Sequence, residues 1–468
     1  MIPFYLLNCL GLVVVYTSGG AHTFASILLA ISFLVSLACF CHAVFARSLS
    51  AASFTYLLYT TYGFILAGLM QVRSDRFYWI NNSVRRELIP DAALVVFVTT
   101  LAFAIGYFVQ AASHRPATAK ELSGPSPAQA RRIAAATFAV CLIAALYLAL
   151  NVRGYGLFAF IGTRYTTSLA QRMSAGSISG IGLAFTLTRG LAIASIVISG
   201  FVLFHMHIRN RWTYAAFGLA CMTIAIANFP PALARYWLIA TVLAVLMSAA
   251  SGWFLRWKTL LFAIAPVLLF FFFPLMQSYN RRSETLNFEF SLNSPLETML
   301  HGDYDGVQAT VNVVGMIGES GLSFGGRLLS SILFFVPRSI WSGKYPPTGS
   351  DAADVAGFSF LNISAPLPTE FFADFHYPGA ILGMGLVGWA VRALDDIYEE
   401  ARMPLIAMTA ILIAGFAPII GRGPLLGIIA APASALFLLG LWYGLSRLRF
   451  GHRHARSRSA LSEHRPLR

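Results

Sequence analysis

Six arginines are set apart by where they fall. Arg189 interrupts the apolar run AFTLTRGLAIAS, Arg235 closes NFPPALARYW, Arg422 sits in IIGRGPLLG and Arg338 follows a proline in FFVPRSIW. Arg164 and Arg281 lie in polar connections, in the company of Arg153, Arg172 and Arg282. A cation inside an apolar run costs at least ~2.5 kcal/mol on insertion scales, so Arg189 is expected to face an interior and meet an anion. The guanidinium fork matches phosphate oxygens two at a time, which Lys cannot imitate. If several of these arginines converge, a lipid-linked phosphate or diphosphate is the natural anion. The plainer alternative for each is a headgroup anchor or a solvated charge.

Acid–base candidates follow in PTEFFADFHYPG. Glu370 and Asp374 stand four residues apart and share a face if the stretch is helical. A carboxylate among aromatic rings can be raised into the range of a general base, and His376 is its rival in that role. The alternative is that both acids only partner arginines. His301, Asp303 and Asp305 in HGDYDG form an alternating set; D-x-D can hold a metal beside a nucleotide sugar, but one such set is a weak signal. Neither a metal nor a cofactor is expected.

The elements that must position these groups are set by composition. Of 468 residues 57% are apolar and 11% charged, with a net charge of +14 and a mean hydropathy of +0.69. Water-soluble, disordered and coiled-coil classes are excluded. The fold class is an all-α polytopic membrane protein with about twelve spans, at roughly 20 apolar residues each. Windows bounded by charge, Pro or Gly predict spans near 2–18, 24–45, 52–71, 91–112, 133–150, 179–204, 213–229, 236–251, 259–277, 379–394, 403–420 and 424–445. This divides the chain into spans one to nine (1–277), a large external loop (278–378), spans ten to twelve (379–445) and a basic tail (446–468). Residues 2–18 read as a retained first helix, since no basic leader or cleavage site accompanies them. In the loop, SILFFV is too short to cross a bilayer, which predicts an interfacial or re-entrant helix.

Charge orients the chain. The Arg- and His-rich tail reads as cytoplasmic, and an even span count puts both termini inside. On that topology 18 Lys and Arg face 6 acids inside, and 14 Lys and Arg face 13 acids outside, with Arg189 in the membrane. The positive-inside rule is obeyed, yet it leaves the external cations unexplained, and all of these are Arg except Lys344. The five cysteines fall in apolar runs without paired spacing, so a disulfide framework or structural zinc is not expected. GxxxxGK[ST] and HExxH are missing, which removes nucleotide-hydrolysing and zinc-protease readings.

Four segments in order, NFPPALARYW, VPRSIWSGKYPP, PLPTEFFADFHYPGAILG and the late RGP turn, together with one large late external loop, resemble bacterial oligosaccharide repeat-unit polymerases, the Wzy-type O-antigen polymerases. The likeness spans roughly residues 150 to 430. It implies an architecture similar to GT-C membrane glycosyltransferases and metal-independent transfer at the periplasmic face of a bacterial inner membrane. A growing glycan would pass from undecaprenyl diphosphate to the non-reducing sugar of a new lipid-linked unit. By motif position the family's arginine roles fall on Arg235, Arg338 and Arg422, and its acidic role on Glu370. One departure is Tyr345 between Lys344 and Pro346, where the family pattern has Lys-Pro. The implied partners are undecaprenyl-diphosphate-linked oligosaccharide and the bilayer, with a chain-length regulator and a flippase as further candidates and no nucleic acid. On this reading Arg189, Arg235, Arg338 and Arg422, with Arg281 and Arg164 beyond them, cradle the diphosphate. Glu370 or His376 then takes the acceptor proton. An O-antigen ligase of the same fold class, or a flippase or secondary transporter for the same lipid-linked sugars, is the alternative.

Overall fold

The computed structural model describes residues 20–46, 50–79, 84–113, 125–163, 178–249, 259–270, 295–300, 302–400 and 403–448, with a few isolated positions besides. No strand occurs among them. The first helices are α1 (Thr23–Phe45), α2 (Ala51–Leu58), a π-helical segment (Tyr59–Leu66) and α3 (Ala67–Ser74). There follow α4 (Ile89–Ser113), α5 (Pro127–Tyr155), α6 (Ile178–Phe204), α7 (Arg211–Ala227), α8 (Arg235–Ala249) and α9 (Thr259–Phe270). The loop region supplies α10 (Pro295–Met299), α11 (Gly306–Ser320), α12 (Gly326–Ile332) and α13 (Thr348–Val355). The chain then forms α14 (Leu367–Glu400), α15 (Pro404–Arg422), α16 (Leu425–Ile428) and α17 (Ala430–Arg447).

Six of the described helical stretches are long and apolar enough to cross a bilayer: Thr23–Phe45, Arg86–Ser113, Pro127–Tyr155, Gly182–Phe204, Arg211–Ala232 and Pro404–Arg422. The chain is thus a multi-pass helical membrane protein. The other expected windows also fall on helices, but on shorter or interrupted ones. Window 52–71 is shared by α2, the π segment and α3; 236–251 and 259–277 hold the short α8 and α9; 379–394 is the later part of a broken α14. Nearly all of 2–18 and the tail beyond 448 lie outside the described residues.

Without water to drive apolar faces together, helices in lipid associate through close backbone approach at small residues. The most extensive contact here, α4 against α14, works this way. A Cβ on Gly106 would stand 1.9 Å from the Gly385 carbonyl oxygen, and one on Gly388 2.1 Å from that of Phe103. Elsewhere α17 lies on α6, α8 on α15, and α15 on α2.

Two prolines leave carbonyls that other elements collect. Pro418 lies inside α15 and has no N–H for Ala414, and the Thr55 hydroxyl of α2 donates to the Ala414 oxygen at 2.8 Å. Pro378 leaves the Asp374 oxygen without its helical donor, and α14 breaks there, at Phe375 and His376 (φ 57°, ψ −152° at His376). The Phe324 N–H donates to the Asp374 oxygen at 3.0 Å and the Ser323 N–H to that of Ala373 at 3.1 Å. So the break in α14 docks the loop that leads into α12.

The 278–378 region is more than a covering over the helix ends. Through Val307, Thr310, Val311 and Met316, α11 is buried, and it contacts α3, α4, α13, α14 and the π segment. Its β-branched and small residues fill the mouth of the bundle, and the 302–304 turn before it places Asp303 and Asp305 inside.

If Thr55 satisfies the carbonyl that Pro418 frees, Thr55→Val should destabilise the protein by about 1–3 kcal/mol, the cost of an orphaned buried acceptor. Thr55→Ser should retain most of the stability. Unfolding midpoints in mixed detergent–dodecyl sulfate micelles check both.

Candidate functional site

The first turn of α8 gathers charge. The diproline of NFPPAL forms a single 3-10 turn, Pro230–Ala232, and the chain re-enters helix at Arg235. The next two residues are aromatic, and each meets an arginine from another helix. The Arg422 guanidinium, at the end of α15, lies 5.0 Å from the Tyr236 ring centroid. That of Arg189, on α6, lies 5.7 Å from the Trp237 ring centroid. Arg189 and Arg422 therefore come from distant parts of the chain to the start of α8, whose first residue is Arg235. The Arg235 side chain is outside the described residues. Cation–π contact stabilises such charges by up to ~2 kcal/mol where water is excluded.

Arg422 also has a carboxylate. Its Nη2 donates to Asp305 Oδ1 at 3.2 Å and reaches the Gly302 carbonyl at 3.4 Å. Asp305 is 1% exposed and fully engaged: Ser364 Oγ donates to Oδ1 at 2.6 Å and Trp79 Nε1 to Oδ2 at 2.8 Å. The Tyr236 hydroxyl donates to the Asp303 carbonyl at 2.8 Å, and the Tyr59 ring stands edge-on to Tyr236 at 5.4 Å. Arg422 Nε and the Tyr59 hydroxyl are buried with no hydrogen-bond partner among the described residues. Asp305 thus serves as counterion, and among the described residues no group of three His, Cys, Asp or Glu is placed to hold a metal. His301 lies outside them.

The turn after Arg422 leads directly to the carboxylate of α14. Gly423 takes φ 60°, and a Cβ there would meet the Ala365 carbonyl oxygen at 1.9 Å, so only glycine fits. The Leu425 N–H then donates to Glu370 Oε1 at 2.8 Å, and the Thr348 hydroxyl donates to Oε2. Glu370 is 1% exposed. Burial raises its carboxyl above the usual range; the Thr348 and Leu425 donors and the Arg327 charge pull it back, and Asp374 adds to the rise.

Arg327 is a residue the sequence reading passed over. It is buried at the start of α12, donates to Asp351 and lies with its guanidinium 5.1 Å from the Tyr345 ring centroid. Its Nε and Nη1 have no partner among the described residues. Nothing in GGRLLSS marks it out, because its burial comes from α13 and the Tyr345 ring, which fold over it from a later segment.

The remaining candidates are placed elsewhere. Arg338 lies on the loop surface, where Nη1 and Nη2 donate to the Lys344 and Tyr345 carbonyls at 2.7 and 3.1 Å. Its guanidinium serves the loop backbone and does not join Arg422. His376 is exposed at the break in α14, packed on the Phe372 ring at 4.6 Å. Asp374 does share the short helical arm with Glu370 but caps α12, accepting from the Arg327 and Leu328 N–H groups at 3.0 and 2.8 Å. Arg153 is exposed at the end of α5, and Arg164, Arg172, Arg281 and Arg282 lie outside the described residues.

No protein-family model matches the chain, and no curated protein or solved structure matches it.

Two measurements probe these contacts. Arg422→Met alone should cost about 3–5 kcal/mol, because it strands the buried Asp305 charge, and Asp305→Asn alone should cost less, since Arg422 is 22% exposed, whereas the two together should cost clearly less than their sum. A double-mutant cycle on unfolding midpoints reads the coupling. For Glu370, the folded state keeps its proton at pH values where the unfolded chain has released it. The resulting penalty is absent well below 4.5, grows as pH rises through the folded pKa and is complete above it. Glu370→Gln, which retains an acceptor for Leu425, should flatten that part of the stability profile, and the variant should gain on the parent from acid to neutral pH.

Proposed function

We propose that this chain is a membrane glycosyltransferase that polymerises oligosaccharide repeat units carried on a polyprenyl diphosphate at the outer face of a bacterial inner membrane. On this reading the architecture is of the GT-C kind with about twelve spans. The observation that carries the proposal is that Arg189 and Arg422 lie against the neighbouring rings of Trp237 and Tyr236 in the first turn of α8, beside the turn that holds Glu370. The motif resemblance in NFPPALARYW and PLPTEFFADFHYPGAILG supports it independently.

The chemistry follows from what these groups can do. The acceptor hydroxyl oxygen attacks the anomeric carbon of the donor glycan and forms the new glycosidic bond. The bond from that carbon to the diphosphate oxygen breaks, and its electron pair leaves with the lipid diphosphate. Unused guanidinium N–H groups, such as Arg422 Nε, suit the charge developing on that leaving group. Their low-dielectric setting strengthens each contact. The acceptor's proton goes to Glu370, whose affinity for protons burial raises above that of a free carboxylate. Arg338 takes a supporting part, holding the loop that carries α12.

The proposal predicts that in proteoliposomes supplied with lipid-diphosphate-linked repeat units, Glu370→Gln lowers kcat by ~100-fold or more with little change in KM. Arg189→Ala and Arg235→Ala should each lower kcat/KM by ~100-fold. Polymer length on gels and single-repeat turnover give these readings, with unfolding midpoints to show that the variants are folded. Full activity in both arginine variants would remove the diphosphate-clamp mechanism.

A further inference from the structure

The stretch from Phe324 to Tyr345, α12 and the turns after it, has its polarity reversed for a loop in water. Its charged residues are Arg327, Arg338 and Lys344, and all are spent on the protein itself. Arg327 is buried against Asp351, and Arg338 donates to two backbone carbonyls. The Lys344 ammonium donates to the carbonyls of Leu333, Phe334 and Val336 at 3.0, 2.8 and 3.0 Å, closing the free end of α12. Elsewhere in the stretch the Tyr345 N–H donates to Ser330 Oγ at 3.1 Å, and the Ile340 and Trp341 N–H groups donate to the Pro337 carbonyl at 3.0 Å. The apolar side chains point the other way. Phe324, Ile332, Phe335 and Ile340 are 79%, 67%, 61% and 78% exposed.

This face continues a second one. Beyond its break, α14 exposes Leu382, Leu386 and Trp389 at helical spacing, and Phe375 is exposed at the break itself. Phe375 meets the loop directly: a Cβ on Gly325 would lie 3.0 Å from the tip of its ring. The apolar surface of the loop thus joins the top of a helix stripe that, in a multi-pass membrane protein, faces lipid.

We propose that Phe324–Trp341 is a membrane-seated ledge, with Phe324, Ile332, Phe335 and Ile340 among the acyl chains of the outer leaflet. Two requirements of hydrocarbon are met there. Backbone polar groups need internal partners, which the Lys344 and Arg338 contacts supply for five carbonyls of the stretch. Apolar area must outweigh polar area on the contact face, as on an interfacial amphipathic helix. Water would favour the opposite arrangement, with the cations outward and the rings covered. The ledge rests on α16 and on the first arm of α14, so it stands between the leaflet and Glu370.

Site-directed spin labels test the ledge in the full chain. Ile332→Cys, Phe335→Cys and Ile340→Cys are labelled singly in a background lacking Cys9 and Cys221, and reconstituted in phosphatidylethanolamine–phosphatidylglycerol vesicles. Leu382→Cys on α14 gives the lipid reference and Ser342→Cys the aqueous one. The expected result is an oxygen-to-nickel-chelate accessibility ratio at 332, 335 and 340 several-fold above that at 342 and approaching that at 382. Ratios equal to that of 342 would overturn the proposal. So would shielding from both reagents, which would mean that a second protein surface covers the face. Unchanged unfolding midpoints show that the labelled chains are folded, and since three positions are read, loss of one variant leaves the test intact.

Discussion

The pairing of buried Asp305 with Arg422 is the interaction on which the outer half of the molecule depends. Withdrawing each ion from water costs several kcal/mol, and attraction repays this only with good geometry and with the remaining hydrogen-bonding capacity used. Asp305 meets that condition by drawing donors from three separate regions: Arg422 at the end of α15, Ser364 before α14 and Trp79 beyond α3. One carboxylate therefore ties the loop, the start of the α14 arm and the bundle together. Glu370 is positioned as a consequence, because its Leu425 donor lies three residues past Arg422.

Around that pair the fold repeatedly turns a local helix defect into a tertiary contact. Pro418 frees a carbonyl that Thr55 collects, and Pro378 frees one that receives the loop leading to α12. In lipid such groups cannot be left to solvent, so each defect demands a partner and thereby fixes a neighbour's position. The tight glycine contacts between α4 and α14 hold the frame in which these partners meet.

Much of the helical frame was legible in the sequence, because long apolar runs bounded by charge have few alternatives in a bilayer. Arg189, Arg235 and Arg422 stood out for a related reason: a lone cation in an apolar setting needs an explanation. The identities of their partners were not legible. Nothing in the sequence marked Tyr236 and Trp237, and Asp305 looked like half of a D-x-D pair until Arg422, over a hundred residues away, was brought to it. Arg327 was invisible because its burial arises from segments that follow it in the chain. Arg338 shows the reverse: its motif position suggested a ligand role, while its contacts are with its own loop.

The π-helical segment Tyr59–Leu66 carries a consequence of its own. Tyr59 faces the ring that lies against Arg422, Thr61 meets Ser36 at 2.7 Å, and Phe64 fills the space that Gly306 leaves open. These contacts point in several directions from one wide turn, and they depend on the phase with which α2 hands over to α3. Loss of one residue there would let the backbone relax to ordinary α geometry and rotate one half of the rod by about 100° against the other. A single-codon deletion would leave hydropathy and length almost unchanged, yet it would turn the faces of α2 away from α15 or those of α3 away from α11. The residue count between Tyr59 and Leu66 is thus as much a part of the packing as the buried side chains themselves.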